Sequence, residues 1–255
     1  MNRNPGVFGD AQGSMYQEKA MYNEFDVSLP REQSMSDARA TFLRRTYAHL
    51  AGAILAFVAI ETLLLSIVDE HAVFMLMGGG GIGFLLVLGA FIGASMLAQT
   101  LARSESSPAV QYAGLALYVL AEAVIFVPLL YICVNYSDPN LIPTAGILTL
   151  ALFGGLTLSV FVTKKDHSGL APILSVGAMI AFGVIIAACI FGFSLGLFFS
   201  FAMVALLSGY ILYETSMVLL HFRTDQHVAA ALMLFSSVAT MFWYILRILM
   251  ELNRR

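Results

Sequence analysis

Charged side chains are scarce in this sequence. They make up 11% of its 255 residues, whereas an ordinary soluble domain carries about a quarter. Hydrophobic residues reach 59%, which is more than the core of a water-soluble domain of this length needs. The composition therefore excludes a soluble globular protein and indicates an integral membrane protein, for which the lipid bilayer is the first partner.

Several residue patterns that carry chemistry are also missing. The two cysteines, Cys133 and Cys189, provide neither a disulfide framework nor a metal-binding spacing. The sequence contains no H-E-x-x-H helix and no G-x-S-x-G nucleophile turn, and it has no basic patch interleaved with aromatic residues. We therefore expect no enzyme activity, no cofactor, no metal site and no nucleic-acid partner.

Long apolar runs dominate what is present. A helix needs about 20 apolar residues to cross a hydrocarbon core of about 30 Å, and seven stretches meet this length. We predict an all-α bundle with seven transmembrane helices in residues 41–255, at about 46–68, 73–99, 109–134, 141–163, 169–191, 195–220 and 228–250. The last stretch is interrupted by polar residues, so it either spans the membrane or is held inside the bundle.

Residues 1–40 differ from the rest of the chain. They are rich in Asn, Gln, Ser, Glu and Asp and show no hydrophobic periodicity. A segment with so little apolar surface cannot offset the entropy cost of ordering. We predict a flexible polar tail on the cytoplasmic side.

Basic residues set the expected orientation. The second, fourth and sixth connections contain Arg103, the pair Lys164 and Lys165, and Arg223, whereas the other three connections contain no Lys or Arg. Basic residues favour the cytoplasmic side of a membrane. We therefore expect a multi-pass protein of the cell inner (plasma) membrane with a cytoplasmic amino terminus, although Arg254 and its neighbour at the other terminus then lie outside, against the same rule.

A glutamate lies inside the sixth apolar run. Tyr210 and Glu214 share one helix face there, Ser236 and Ser237 lie at a comparable depth in the seventh run, and Thr240 continues a polar stripe from Ser237. An acid inside a bilayer costs several kcal/mol unless it is protonated, paired or wetted, so such residues usually mark ion pathways or proton relays. Two interpretations stay open: a proton sensor beside an ion pathway, or a neutral acid that holds two helices together.

Three further charges lie in apolar runs. Glu122 is near the middle of the third run, on a stripe with Tyr118, while Glu61 and Arg247 both lie toward the outer side. An ion pair between Glu61 and Arg247 is therefore geometrically possible. The alternative is that both side chains extend to the membrane interface.

Histidines bracket the loop "HFRTDQH". His221, Asp225 and His227 suggest either a metal site or a pH sensor. A solvated interfacial loop is the favoured interpretation, because no set of four ligands is visible.

Four segments together resemble one known family. "GYILYETS" and "AALMLFSSVATMF" look like the two carboxy-terminal signatures of the Bax inhibitor family, also called the transmembrane Bax inhibitor motif or lifeguard family. "FLRRTYAHL" and "VFVTKKDHS" extend the likeness over most of residues 40–250, nearest to the bacterial YccA-like branch. The resemblance implies a seven-helix bundle in which helix pairs surround a central carboxy-terminal helix.

The resemblance also implies a function. In the calcium-leak members of the family, an acid in the sixth helix pairs with an aspartate in the seventh, and protonation of the pair gates passage. Glu214 matches the first acid, but Ser237 stands at the position of the second. Two adjacent carboxyl groups titrate as a coupled pair, and a serine in place of the second acid removes this coupling. We therefore expect a pH-sensitive cation leak, for calcium ions, with a simpler pH response than a pair of acids gives.

Two alternatives remain beside the leak. YccA-like relatives are substrates and modulators of a membrane-bound ATP-dependent quality-control protease, and the predicted tail is a segment such a protease can grip. The second alternative is a purely structural bundle that stabilises other membrane complexes. The sequence does not decide among the three.

Overall fold

The protein is a bundle of α-helices. The computed structural model describes residues 9–77, 81–105 and 107–254, and it describes side chains from residue 35 onward except at 81, 82 and 106. Eight α-helices and one 3-10 turn make up the regular structure of these residues, and no strand occurs among them. The helices are α1 Gly9–Ile67, α2 Glu70–Leu76, α3 Gly81–Ala102, α4 Pro108–Tyr136, α5 Leu141–Thr163, α6 Ala171–Phe191, α7 Leu197–Leu220 and α8 His227–Asn253, with the turn at Ser168–Leu170.

Seven of these helices are long and apolar enough to cross a membrane. Every helix except the short α2 contains such a span, which confirms the predicted seven-helix membrane bundle. The predicted second span, 73–99, is divided: α2 ends at Leu76 and α3 begins at Gly81. The Asp69 carboxylate caps α2 by accepting a hydrogen bond of 2.8 Å from the backbone N–H of Ala72.

Helix α1 begins earlier than the sequence analysis predicted. It starts at Gly9 and continues through the residues expected to form a flexible tail, while residues 1–8 of that tail lie outside the described part of the chain. The segment contains many good helix formers, such as Ala, Gln, Glu, Lys and Met. Hydrophobic periodicity did not reveal this extension, because apolar residues are sparser there than in the rest of the chain.

Helix α8 lies at the centre of the bundle. In its most apolar window 72% of the residues are buried, against 11% to 44% in the other six spans. It contacts α1, α3, α4, α5 and α7. The sequence analysis left open whether this segment spans the membrane or is held inside the bundle. The structure combines the two, since α8 is long enough to span a membrane and is enclosed by the other helices.

Three connections meet at one end of the bundle, which we call the basic side. Arg223 of the α7–α8 connection binds Glu105 of the α3–α4 connection at 3.0 Å, and His221 at the end of α7 binds Asp166 of the α5–α6 connection at 3.0 Å. The basic loop residues Arg103, Lys164, Lys165 and Arg223 all belong to these three connections. The opposite end, where α1, α4 and α6 finish, is the far side.

Helices α3 and α4 approach each other very closely at Gly114. A Cβ atom placed there would lie 2.6 Å from the backbone oxygen of Ala98 and 2.6 Å from the backbone nitrogen of Ala102. Backbone atoms cannot move aside as a flexible side chain can, so this contact requires glycine. Small residues permit such close helix approach in membrane bundles.

The substitution Gly114→Ala tests this packing. We expect it to lower the free energy of unfolding in detergent by about 1 to 3 kcal/mol, the usual cost of overpacking a tight contact. The matched control is Gly89→Ala on α3, where a Cβ atom would meet nothing within 4 Å. Thermal unfolding followed by circular dichroism should show a lower midpoint for the first variant alone, and equal midpoints would contradict the close contact.

Candidate functional site

The candidate site is built around Glu214 of α7. This residue lies six positions before Leu220, or about 9 Å from the basic end of the helix at 1.5 Å per residue. Its side chain is only 7% exposed and points into the bundle. The Ser237 hydroxyl of α8 interacts with the carboxyl group, while the Oε2 atom has no hydrogen-bond partner in the described part of the chain.

A cavity of about 110 Å³ opens beside Glu214. Glu214 and Ser236 line it together with Gln99 and Arg103, which lie at the basic end of α3 and just beyond it. The remaining lining residues are Ala102, Ala229, Leu232 and Met233. We call this space the near cavity, because the residues that form it lie in the half of the bundle next to the basic side.

A second and larger cavity of about 570 Å³ reaches into the bundle from the far side. Its outer part is lined by Met77, Phe193 and Leu195, which belong to the far-side connections, and its inner part by Glu122 and Thr240. Phe91, Cys189, Trp243, Tyr244 and Arg247 are also among its walls. We call this space the far cavity.

The predicted polar stripe is divided between different parts of the bundle. Glu214, Ser236 and Ser237 come together at the near cavity. Thr240 lines the far cavity instead, and its hydroxyl donates to the Ser236 carbonyl oxygen at 2.8 Å. The Tyr210 hydroxyl donates to the Leu174 carbonyl of α6 at 3.1 Å, so this group is turned away from α8.

The Glu61–Arg247 ion pair is absent from the structure. Arg247 donates to the Leu195 carbonyl at 2.9 Å, and neither carboxyl oxygen of Glu61 has a hydrogen-bond partner among the residues described. The alternative for Glu61 is also wrong, because its side chain is 4% exposed and does not extend to the membrane interface. Glu61 and Arg247 lie at a similar depth in the bundle, but their side chains do not pair.

The loop histidines belong to no group of three potential metal ligands in the described part of the chain. His221 pairs with Asp166 and Asp225 pairs with Arg223, and no three potential metal ligands converge anywhere in the described ranges. The backbone N–H of Ser168 and the His221 side chain hold the pKa of Asp166 below its usual value. These exposed pairs are typical of the solvated loop that the sequence analysis favoured.

Arg39 fixes the end of the helix that carries Glu214. Its guanidinium group donates to three carbonyl oxygens at the carboxy-terminal end of α7, those of Val218 at 2.7 Å, Leu219 at 3.0 Å and Phe222. The last carbonyls of a helix have no partner within the helix, and a cation there also complements the helix dipole. The sequence analysis placed Arg39 in the tail, since no local pattern reveals which helix end it will reach.

The comparison with known protein families found one match over most of the chain. The family described as "Inhibitor of apoptosis-promoting Bax1" matches residues 39–255. This range begins at Arg39, which binds the end of α7. It includes all seven candidate spans except the first residues of the span in α1.

Similar individual proteins come from bacteria and from mouse. Two uncharacterized proteins of Neisseria meningitidis, one from a serogroup A strain and one from a serogroup B strain, are each 28% identical over 186 residues, or 69% of this chain and 76% of theirs. Protein lifeguard 4 of Mus musculus is 27% identical over 130 residues, which cover 48% of this chain and 52% of the mouse protein. No solved structure matches.

The substitution Arg39→Ala tests the attachment of α7 to α1. Hydrogen bonds from a charged donor contribute roughly 1.5 to 3 kcal/mol, so we expect faster amide hydrogen exchange in the last turns of α7 and a lower unfolding midpoint. Arg44→Ala, a change at an exposed arginine of the same helix, is the control and should alter neither measurement. Unchanged exchange in residues 217–222 of Arg39→Ala would mean that the three contacts do not hold the helix end.

Proposed function

The chain belongs to the Bax inhibitor family, and on that premise we propose that it is a pH-sensitive calcium leak in which Glu214 is the proton sensor. The observation that carries this proposal is the position of the Glu214 carboxyl group. It is buried in a bundle of membrane-spanning helices, it lines a cavity, and one of its oxygens is without a partner among the described residues. A carboxyl group needs such a position if it is to exchange protons and attract cations within a membrane.

The sign of the pH effect follows from the charge of Glu214. An ionised carboxylate attracts Ca²⁺, which prefers oxygen ligands, whereas the protonated group carries no charge and attracts it much less. We therefore expect the leak to increase as the pH rises through the titration of Glu214. Because the Ser237 hydroxyl is the partner in place of a second acid, the titration should have one step and not the two steps of a coupled pair.

We assign the basic side of the bundle to the cytoplasm of a cell whose inner membrane holds the protein. The support is the bias of Lys and Arg toward cytoplasmic connections, together with the clustering of the basic connections at one end. Glu214 then samples the pH of the cytoplasm through the near cavity. The proposed activity is passive transport and not catalysis.

The substitution Glu214→Gln tests the sensor. In reconstituted vesicles, wild-type calcium flux should increase from acidic to mildly alkaline pH, because ionised Glu214 attracts the ion. The glutamine variant keeps the shape of the side chain but cannot ionise, so its flux should be low and should depend much less on pH. A fluorescent calcium indicator inside the vesicles provides the measurement.

Glu70→Gln is the control for Glu214→Gln, since Glu70 is an exposed acid at the far end of the bundle. This variant should retain the pH dependence of the wild type. Equal fluxes from wild type and Glu214→Gln at every pH would remove the role assigned to Glu214.

A second candidate function is interaction with a membrane-bound ATP-dependent protease, as modulator or substrate. The observation that favours it is the extension of α1: residues 9–34 continue the helix ahead of the apolar run at 46–68, and their sequence is rich in polar and charged residues. A segment outside the membrane is available to a partner that acts there. The two candidates do not exclude each other.

Removal of residues 1–34 tests the second candidate, because the shortened chain still begins with a methionine, Met35. If a protease engages this segment, the half-life of the protein in cells should increase after the removal. The control is a chain in which an unrelated soluble segment of the same length replaces residues 1–34. It shows whether any accessible segment at this end is enough for the protease. Identical turnover of full-length and shortened chains would speak against a protease that grips this end.

A further inference from the structure

One hydrogen bond lies between the two cavities. The hydroxyl groups of Tyr118 on α4 and Ser236 on α8 are 2.7 Å apart. Ser236 lines the near cavity, whereas Glu122 and Thr240, which follow Tyr118 and Ser236 by one helical turn each, line the far cavity. The bond therefore joins α4 to α8 at the level where one cavity ends and the other begins.

The directions of the two helices support this order. Both α4 and α8 begin at the basic side, and Tyr118 and Ser236 lie at nearly the same depth, ten and nine residues after the first residues Pro108 and His227. Four residues advance a helix by about 6 Å. Glu122 and Thr240 thus lie about one turn closer to the far side than the hydroxyl pair.

Aromatic rings close the space around the pair. The ring centroid of Tyr118 is 6.0 Å from that of Phe235 on α8 and 6.4 Å from that of Phe91 on α3. Phe91 also lines the far cavity. The hydroxyl pair therefore lies beside aromatic rings and between two cavities that are separate in the structure.

Glu122 provides an acid on the far side of this constriction. Its side chain is 3% exposed, its Oε2 atom has no hydrogen-bond partner among the side chains the structure describes, and it lines the far cavity. It also interacts with the Tyr118 hydroxyl. The other charged groups around it are Glu61 on α1, which interacts with it electrostatically, and Arg247 on α8, which lines the same cavity.

We propose that the Tyr118–Ser236 hydrogen bond is the gate between the near and far cavities, and that Glu122 is the cation-binding acid on the far side of that gate. The inference rests on the proposed calcium leak and deepens it. When the two hydroxyl groups separate, the cavities join, and an ion can pass from Glu214 to Glu122 along the hydroxyl oxygens of Tyr118 and Ser236. All of these groups are oxygen ligands of the kind that Ca²⁺ accepts.

The alternative is a purely structural role, in which the bond only holds α4 against α8, as interhelical hydrogen bonds commonly do. Under that alternative, its loss lowers stability but does not connect the two cavities. Access to each cavity from each side of the membrane separates the two interpretations. The structure supplies a natural reporter for this measurement, because the Cys189 thiol lines the far cavity while Cys133 is fully buried.

The first measurement is therefore the labelling of Cys189 by a charged, membrane-impermeant methanethiosulfonate reagent in sealed vesicles of one orientation. The wild type should react rapidly from the far side and slowly from the near side, because its gate opens only rarely. Tyr118→Phe and Ser236→Ala, each of which removes one hydroxyl group, should react from the near side about five times faster than the wild type. The change Cys189→Ser, made in the wild type and in each gate variant, is the control that measures any reaction of Cys133.

The control is Tyr131→Phe, the same chemical change on the same helix at a residue outside both cavities. It should behave as the wild type does. Near-side labelling of both gate variants at the wild-type rate would overturn the gate. A wild type that does not react from the far side would show that the far cavity is closed to water and would equally overturn the proposal.

The second measurement is calcium flux in the same vesicles. Loss of one hydrogen bond of about 1 kcal/mol corresponds to a factor of about five in rate, so each gate variant should leak about fivefold faster. Because both variants break one bond, the double variant should leak no faster than either. A double variant with the product of the two single effects would contradict a shared bond.

Glu122→Gln in the Tyr118→Phe background tests the role of the acid. We expect the faster near-side labelling to persist while the calcium flux decreases, since the path is open but has lost a binding charge. Unchanged flux would overturn the role of Glu122. If near-side labelling is faster in the gate variants but no variant conducts calcium, the gate stands and the proposed calcium leak fails, so the two ideas are tested separately.

Discussion

The position of α8 inside the bundle is the constraint on which the other features depend. A helix surrounded by helices, in a bundle that is itself surrounded by hydrocarbon, can carry polar side chains only if they meet partners or water. Ser236, Ser237 and Thr240 satisfy this requirement through contacts with α4, α7 and the backbone of α8 itself. Because α8 faces several neighbours at once, polar groups from different helices converge on it.

The neighbours of α8 are in turn held at defined distances. Gly114 lets α3 and α4 approach until backbone atoms nearly touch, and Arg39 attaches the end of α7 to α1. The first contact positions Tyr118 and Glu122, which are on α4, and the second positions Glu214, which is on α7. Two packing contacts therefore determine where the side chains of the proposed pathway lie.

The arrangement differs from the paired acids that the family resemblance implies for calcium-leak members. Hydroxyl groups of Ser236, Ser237 and Tyr118 surround the space between Glu214 and Glu122, and the two acids lie on α7 and α4 at different cavities. Hydroxyl groups provide oxygen atoms without adding charge, so neighbouring groups do not force a carboxyl group to share a proton. The proposed leak would thus depend on two separate acids and a neutral hydrogen bond between them.

The sequence by itself determined the membrane class, the seven spans and the family. These depend on properties that accumulate along the chain, because a span needs about 20 apolar residues wherever its neighbours lie. The sequence also identified Glu214 as a buried acid, since an ionisable residue within an apolar run is recognisable without knowledge of its surroundings.

Only the tertiary structure decided which side chains meet. The rotation of each helix about its own axis, and the choice of the helix that faces it, brought Ser237 to Glu214 and turned Tyr210 toward α6. Helix rotation and the choice of neighbouring helix also kept Glu61 from pairing with Arg247, although both residues lie toward the far side of the bundle. They also joined Tyr118 to Ser236, because contacts between residues more than a hundred positions apart follow from packing and not from local spacing.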